Sequence, residues 1–193
     1  MRKITFFVLL AMCLFIASCS SCNKKKDSVS TELNVENIVS ADKEYMLSNY
    51  GEYTWFETCI VLDEFLDEEC DGSIKGVSNI FQVIKEKEEG YDTQVILISH
   101  TPDTTAVEVR KGFWVEDSPL DTIAVSFKQA FDKIMATNLP KPHSQQVVLR
   151  KKVGPVTCNP QYIFGNIKAQ IYVDALTADV SDEDPAFPKE NTK

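Results

Sequence analysis

The two histidines are the residues best suited to acid–base chemistry, and neither has the companions that a catalytic site requires. His100 precedes the turn Thr101-Pro102-Asp103, and His143 follows Pro140-Lys141-Pro142. A triad built from His100, Asp103 and a serine would need a nucleophile-elbow sequence, which the chain lacks. Histidine at such turns commonly serves as a hydrogen-bonding group. We therefore predict no catalytic residues and no enzyme activity.

An acidic stretch over residues 63–72 partly imitates a calcium-binding loop. Asp67, Glu69 and Asp71 alternate as calcium ligands would, and a glycine follows. The twelfth position would be Ser78 instead of a bidentate glutamate. A solvated turn whose charges protect a sheet edge is the favoured interpretation. Weak calcium binding stays open, and we predict no other metal site and no cofactor.

If the protein is exported, the cysteines after position 19 can form disulfides, because the compartments outside the cytosol are oxidising. Cys59 and Cys70 would close a small loop, and no CxxC spacing occurs outside residues 19–22. The histidines are distant in sequence, which disfavours zinc. Buried thiols or one structural bridge are expected, and the sequence leaves open the disulfide state of four residues: Cys22, Cys59, Cys70 and Cys158.

The first 22 residues have the pattern of an export signal. Two basic residues precede the apolar run Ile4–Ile16, which is short for a membrane span. The sequence Ile16-Ala17-Ser18-Cys19 resembles the bacterial lipobox, and this resemblance implies removal of residues 1–18 and fatty acylation, for example by palmitate, of Cys19. A plain cleaved signal and an uncleaved membrane anchor are the competing interpretations.

Residues 19–35, rich in Ser, Lys and Asn, are expected to form a flexible tether between the lipid and the folded part. In combining a lipobox with a small folded part, this chain resembles the small lipoproteins of Bacteroides-type bacteria. In those proteins, export to the cell surface is associated with acidic residues after the lipidated cysteine. The stretch Ser20–Lys26 is basic instead. We therefore expect anchoring on the periplasmic side of the outer membrane.

The formal net charge of -9 argues against nucleic acid as a partner. Phosphate binding requires clustered Lys and Arg, and the basic runs are confined to Lys24-Lys25-Lys26 in the tether and to Arg150-Lys151-Lys152. The membrane, through the lipid anchor, and a protein or peptide are the partners that we predict. The oligomeric state is not determined by the sequence.

Apolar periodicity and capping residues predict the secondary structure. Helices are expected from Ser40 to Gly51 and after Ser126, where Gln129 completes a capping box. The segments with strand character are 53–66, 77–84, 93–99, 106–115, 145–151, 161–164 and 169–174. Residues 181–193 are expected to form a loose acidic tail.

This order of elements predicts an α+β fold made of two units, residues 36–117 and 118–180, each with a helix on an antiparallel sheet. Phe113-Trp114-Val115-Glu116 resembles Ile171-Tyr172-Val173-Asp174 near the end of the second unit. The similarity favours a degenerate tandem repeat within one compact domain.

Aromatic residues in the predicted strands are candidates for partner binding. Trp114, Tyr162 and Tyr172 are the ones that we select, because an exposed aromatic face can bind a peptide or a sugar ring. Core packing is the alternative role. Alternation along the strands places apolar residues on both faces of the sheet, so a helix would cover one face and a partner or second sheet the other.

The second half, from Ser126 to Val180, resembles a PepSY-type module: a helix, then strands, then the signature Asp-Ala-x-Thr-Gly-x-Val. Here residues 174–180 are Asp-Ala-Leu-Thr-Ala-Asp-Val, so Ala178 replaces the glycine. A PepSY-like or β-lactamase-inhibitor-like tandem implies a non-catalytic protein that binds a protein or peptide, such as an extracytoplasmic protease. The alternative prediction is a carbohydrate-binding or small-ligand-binding lipoprotein of an uptake system, with its cleft between the two units.

Overall fold

The computed structural model describes residues 33–88 and 90–189. Their elements are, in chain order, α1 Val35–Tyr50, β1 Thr54–Leu62, β2 Ile74–Lys87, β3 Gly90–His100, β4 Thr105–Lys111, β5 Asp117–Ser118, α2 Phe127–Met135, β6 Gln146–Lys152, β7 Gln161–Asn166, β8 Ala169–Asp174 and β9 Val180–Ser181. The predicted signal peptide, Cys19 and most of the predicted tether lie outside these residues. Among the described helices, neither is long and apolar enough to cross a membrane.

The strands of the two halves form a single antiparallel sheet in the order β4-β3-β2-β1-β6-β7-β8-β9. The halves meet where β1 pairs with β6, from Glu57 opposite Arg150 to Val61 opposite Gln146. The short β5 pairs with the end of β6, beyond β1. Each half is therefore a helix followed by strands that run outwards from the centre, and the α+β prediction is confirmed at this level.

The tandem repeat stays a prediction, since its two similar tetrapeptides occupy different places. Residues 171–174 lie in β8, whereas residues 113–116 lie in the loop between β4 and β5. Glycine explains the difference, because Gly112 adopts a φ of 135° and ends β4. The strand predicted over 106–115 therefore stops at Lys111.

Both helices pack on one face of the sheet. Met46 of α1 and Ile134 of α2 are fully buried in the same core as Phe81, Leu149 and Phe164 from the strands. Burying one such side chain stabilises the fold by about 1.5–3 kcal/mol. The opposite side of the sheet, here called the helix-free face, carries the alternate strand residues.

Helix α1 begins five residues before the predicted start at Ser40. Asn34 is the N-cap, and its side chain accepts a hydrogen bond of 2.8 Å from the backbone N–H of Asn37. The buried face of α1 includes the carboxylate of Asp42. Because this charged residue interrupts the apolar pattern, the pattern does not predict the first turns of the helix. The predicted end at Gly51 is confirmed, and the N–H of this residue donates to the carbonyl of Leu47.

The hairpin of β2 and β3 is longer than predicted. The predicted strands stop at residue 84 and resume at residue 93, but β2 continues to Lys87 and β3 begins at Gly90. Lys87 Nζ and Asp92 Oδ2 lie 3.1 Å apart across this ribbon. Its side chains are polar and largely exposed, so the apolar alternation that marks a half-buried strand is missing here.

The C-terminal segment is packed, which corrects the prediction of a loose tail. Ala186 is fully buried, and Asp184 forms an ion pair with Lys152 of β6. A Cβ atom on Gly154 would lie 2.5 Å from the carbonyl oxygen of Ala186, so only glycine permits this close approach. Residues 182–189 therefore cover part of the helix-free face beside Tyr172, and residues 190–193 lie outside the described part.

The turn after β8 has a left-handed residue at the position where the PepSY signature has glycine. Asp174 Oδ1 accepts hydrogen bonds from the backbone N–H groups of Leu176 (2.8 Å) and Thr177 (3.0 Å). The N–H of Ala178 donates to the carbonyl of Asp174, and Ala178 adopts a φ of 64°. The turn thus imposes on alanine a conformation that glycine adopts without strain.

The Ala178→Gly variant should be more stable than the wild type. Relief of left-handed strain is worth about 1–2 kcal/mol, and the extra freedom of glycine in the unfolded chain offsets about 0.5–1 kcal/mol. We expect a net gain of about 0.5–1 kcal/mol in the free energy of unfolding, measured by urea denaturation. The control Ala175→Gly, at a fully buried position nearby, should destabilise the protein. A less stable Ala178→Gly variant would contradict the assigned strain.

Candidate functional site

Residues 112–118, here called the crossing segment, run over one end of the sheet from β4 to β6. The N–H of Gly112 donates to the carbonyl of Thr93 in β3, at 3.1 Å. The N–H of Trp114 donates to Oε1 of Gln82 in β2, at 2.6 Å. Asp117 then pairs with Lys152 in β6. Since Gln82 belongs to the helix-free face, the crossing segment covers that face at this end.

A buried charged cluster fixes the end of the crossing segment. Asp117 Oδ1 lies 3.5 Å from Arg150 Nε, and Glu57 Oε2 lies 3.5 Å from Arg150 Nη1. The indole N–H of Trp114 donates to Asp117 Oδ2 at 3.2 Å, and the thiol of Cys59 donates to Glu57 Oε1 at 2.9 Å. The cluster therefore joins β1, β5 and β6 with the ring of Trp114.

Two carboxyl groups share one guanidinium in this cluster, which leaves one negative charge in excess when both are ionised. Burial raises the pKa of Asp117 to about 6, Arg150 opposes that shift, and the carboxylate of Glu57 adds to it. A proton on Asp117 makes the buried cluster neutral. Burial, together with the charge of Glu57, also raises the pKa of the Cys59 thiol, so Cys59 is not a reactive thiolate.

The side chain of Asp117 is fully buried and that of Glu57 is nearly so. Carboxyl groups in this state cannot contact a substrate without movement of the strands that carry them. Removing one partner of a buried ion pair strongly destabilises a protein, because it leaves an uncompensated charge. The arrangement therefore positions the crossing segment.

The crossing segment exposes two large apolar side chains on this fixed backbone. Phe113 is 63% exposed and Val115 is 78% exposed, while Trp114 between them points inwards. Exposed apolar residues also follow β6 and occupy the C-terminal segment, where the ring of Phe187 lies 5.5 Å from Lys152 Nζ. We call Phe113 and Val115 the crossing surface.

The aromatic residues selected from the sequence have different positions. Tyr162 is 1% exposed and its hydroxyl donates to the carbonyl of Val125, while Tyr172 is 4% exposed. Both rings are almost wholly buried and contribute to packing. Trp114 is half-buried and anchors the crossing segment. Sequence reasoning missed the exposure of Phe113 and Val115 because it placed them in a strand.

The two histidines belong to structural contacts. His100 Nε2 lies 2.9 Å from Asp42 Oδ1, and its Nδ1 lies 3.0 Å from Thr105 Oγ1. Asp42 also accepts a hydrogen bond of 2.7 Å from Asn79, so this network continues inwards beneath α1. His100 thus has Asp42, and not Asp103, as its carboxylate partner.

The ring of His143 stacks on Phe65, with 4.3 Å between ring centroids. In the acidic stretch, Asp67 accepts from the N–H of Glu69, and Asp71 accepts from the N–H of Ser73. These carboxylates therefore cap local turns. Within residues 33–88 and 90–189, no three His, Cys, Asp or Glu side chains are grouped to hold a metal ion.

The thiols of Cys59, Cys70 and Cys158 are free, so the possible loop between Cys59 and Cys70 is not closed by a disulfide. Cys22 lies outside the described residues.

No family model, no curated protein and no solved structure matches this chain.

The Asp117→Asn variant should change the pH dependence of stability. Because the pKa of Asp117 is about 6 in the native protein and about 3.9 in the unfolded chain, the native state binds this proton more tightly. The resulting stabilisation is complete below a pH of about 4 and is lost as the pH rises through about 6. The free energy of unfolding that is lost in this way is at most about 3 kcal/mol. The free energy of unfolding of the wild type minus that of Asp117→Asn should therefore fall across this range.

Urea denaturation at a series of pH values measures this difference. Asp121→Asn is the matched control, since Asp121 is an exposed aspartate in the following loop. Its stability should run parallel to that of the wild type at every pH. Parallel curves for Asp117→Asn would show that Asp117 does not titrate in the buried cluster.

Proposed function

We propose that this protein is a lipid-anchored, non-catalytic component of a bacterial cell envelope that binds a protein partner through the crossing surface. The proposed location depends on acylation of Cys19 in the lipobox-like sequence, and the basic residues that follow favour the periplasmic side of the outer membrane. An extracytoplasmic protease is the partner class that the PepSY-like and β-lactamase-inhibitor-like resemblance implies.

Two structural features support the tandem of PepSY-like units within this proposal. The strand order is symmetric about the pairing of β1 with β6, and each half places its helix before its strands on the same side of the sheet. The turn at residues 174–180 has a left-handed residue, Ala178, where the signature has glycine. We interpret the two halves as products of a duplication.

The observation that carries the proposed partner binding is the exposure of Phe113 and Val115 on an immobilised backbone. Exposed apolar groups of this size are typical of contact sites, and aromatic residues are frequent among those that contribute most binding energy. Hydrogen bonds from Trp114 to Gln82 and Asp117 order the segment before any partner arrives. Pre-ordering reduces the entropy lost on association.

The double variant Phe113→Ser, Val115→Ser should lose partner binding while keeping its fold. A photo-crosslinking side chain at position 113 of the full-length protein, expressed in its native host, should give one specific adduct, identified by mass spectrometry. We expect the double variant to reduce co-purification of that partner at least about tenfold, which corresponds to about 1.4 kcal/mol. Far-ultraviolet circular dichroism checks the fold of the variant.

Ile167→Ser is the matched control, because Ile167 is 96% exposed in the turn between β7 and β8 and lies outside the crossing surface. This variant should retain the partner, and a crosslinker at position 167 should not give the same adduct. Equal loss of the partner in both variants would contradict the proposed surface. An adduct that forms at position 167 and not at position 113 would also contradict it.

A further inference from the structure

A cleft opens on the helix side of the sheet, between α1 and the segment that leads into α2. Its volume is about 500 Å³, within the range of about 300–1,000 Å³ that is common for small-molecule sites. Trp55, Leu149 and Tyr162 from three central strands form its floor. A second groove of about 570 Å³ shares four lining residues with the first, so the space continues past them: Lys43, Trp55, Asp121 and Thr122.

Lys43 supplies the cation in this cleft. Its Nζ lies 3.8 Å from the ring centroid of Trp55, in a cation–π contact, and burial lowers its pKa. Among the described residues, no carboxylate oxygen lies within 4 Å of this ammonium group. A half-buried cation without a carboxylate partner favours an anionic ligand.

The other charges of the lining limit how much negative charge the ligand can carry. Glu36 and Asp121 are both in the lining, and Oε1 of Glu36 accepts a hydrogen bond of 2.6 Å from the N–H of Phe127 at the start of α2. Two carboxylates near one ammonium group would repel a doubly charged phosphate. A ligand with a single carboxylate is repelled less by these two residues and can pair with Lys43.

The rest of the lining is largely apolar. Val35 and Val39 of α1 face Ile123 and Val125 of the opposite wall, above the rings of the floor. Such a surface favours a hydrocarbon or aromatic group on the ligand, and the few polar groups then fix its orientation.

We propose that this cleft binds a small monocarboxylate with an apolar or aromatic body, its carboxylate paired with the ammonium group of Lys43 and its body placed against Trp55. The site is formed by the helix side of the sheet, whereas the crossing surface belongs to the helix-free face. The inference is therefore independent of the proposed binding of a protein partner.

Three probes of the same size test the required charge. Isothermal titration calorimetry of the full-length protein in detergent should show saturable binding of phenylacetate, at least about tenfold tighter than that of neutral phenylacetamide. Cationic phenethylamine should bind more weakly than either. The chain contains two tryptophans, so NMR of the indole N–H groups should show a shift of the Trp55 signal and an unchanged Trp114 signal.

Variants at Lys43 separate ligand binding from packing on Trp55. Lys43→Met should bind phenylacetate no better than phenylacetamide, since Glu36 and Asp121 remain, whereas Lys43→Arg should keep the preference for the anion. Lys75→Met removes an exposed lysine outside the cleft and should behave as the wild type. The proposal is overturned if phenylacetate shows no saturable binding at millimolar concentration, if phenylacetamide binds equally well to the wild type, or if Lys43→Met keeps the preference.

Discussion

The antiparallel pairing of β1 with β6 is the constraint on which the rest of the structure depends. It joins the two halves into one sheet and removes the free edges that two separate sheets would present at this point. Its register places Glu57 directly opposite Arg150. A slip by one residue would move these charges to the helix side, into the apolar core, so the buried cluster and the core select the same register.

This register also explains why the helix-free face carries the candidate site. Both described helices cover the other face, and apolar residues such as Phe56 and Ile163 on the helix-free face still need protection from water. The crossing segment and residues 182–189 supply cover at one end of that face. Asp117 links the crossing segment to the sheet, because the buried charged cluster that holds its side chain lies where the two halves pair. The path of the crossing segment leaves Phe113 and Val115 in solvent.

The sequence was sufficient where a local signal determines the structure. The capping box of Ser126 with Gln129 starts α2 as predicted, Gly51 ends α1, and the alternation of residues 169–174 matches β8. These signals depend on neighbours within a few residues. Helix, strand and the α+β class could therefore be predicted, as could the presence of apolar residues on both faces.

The remaining features depend on contacts between residues distant in sequence. Asp42 lies in the buried stripe of α1 because Asn79 and His100 satisfy its carboxylate, and no local pattern predicts such partners. The burial of Glu57 likewise depends on Arg150. Phe113 had the pattern of a strand residue, and its exposure follows from the end of β4 at Gly112 and from the bond between Trp114 and Gln82.

The most direct test of this account is hydrogen exchange at the backbone amide of Trp114. If the cluster fixes the crossing segment, this amide should exchange in the wild type almost as slowly as that of Ile96 in β3. In Arg150→Met its protection should fall much more than that of Ile96. Exchange of the Trp114 amide at the rate of an unprotected peptide in the wild type would contradict an ordered crossing segment.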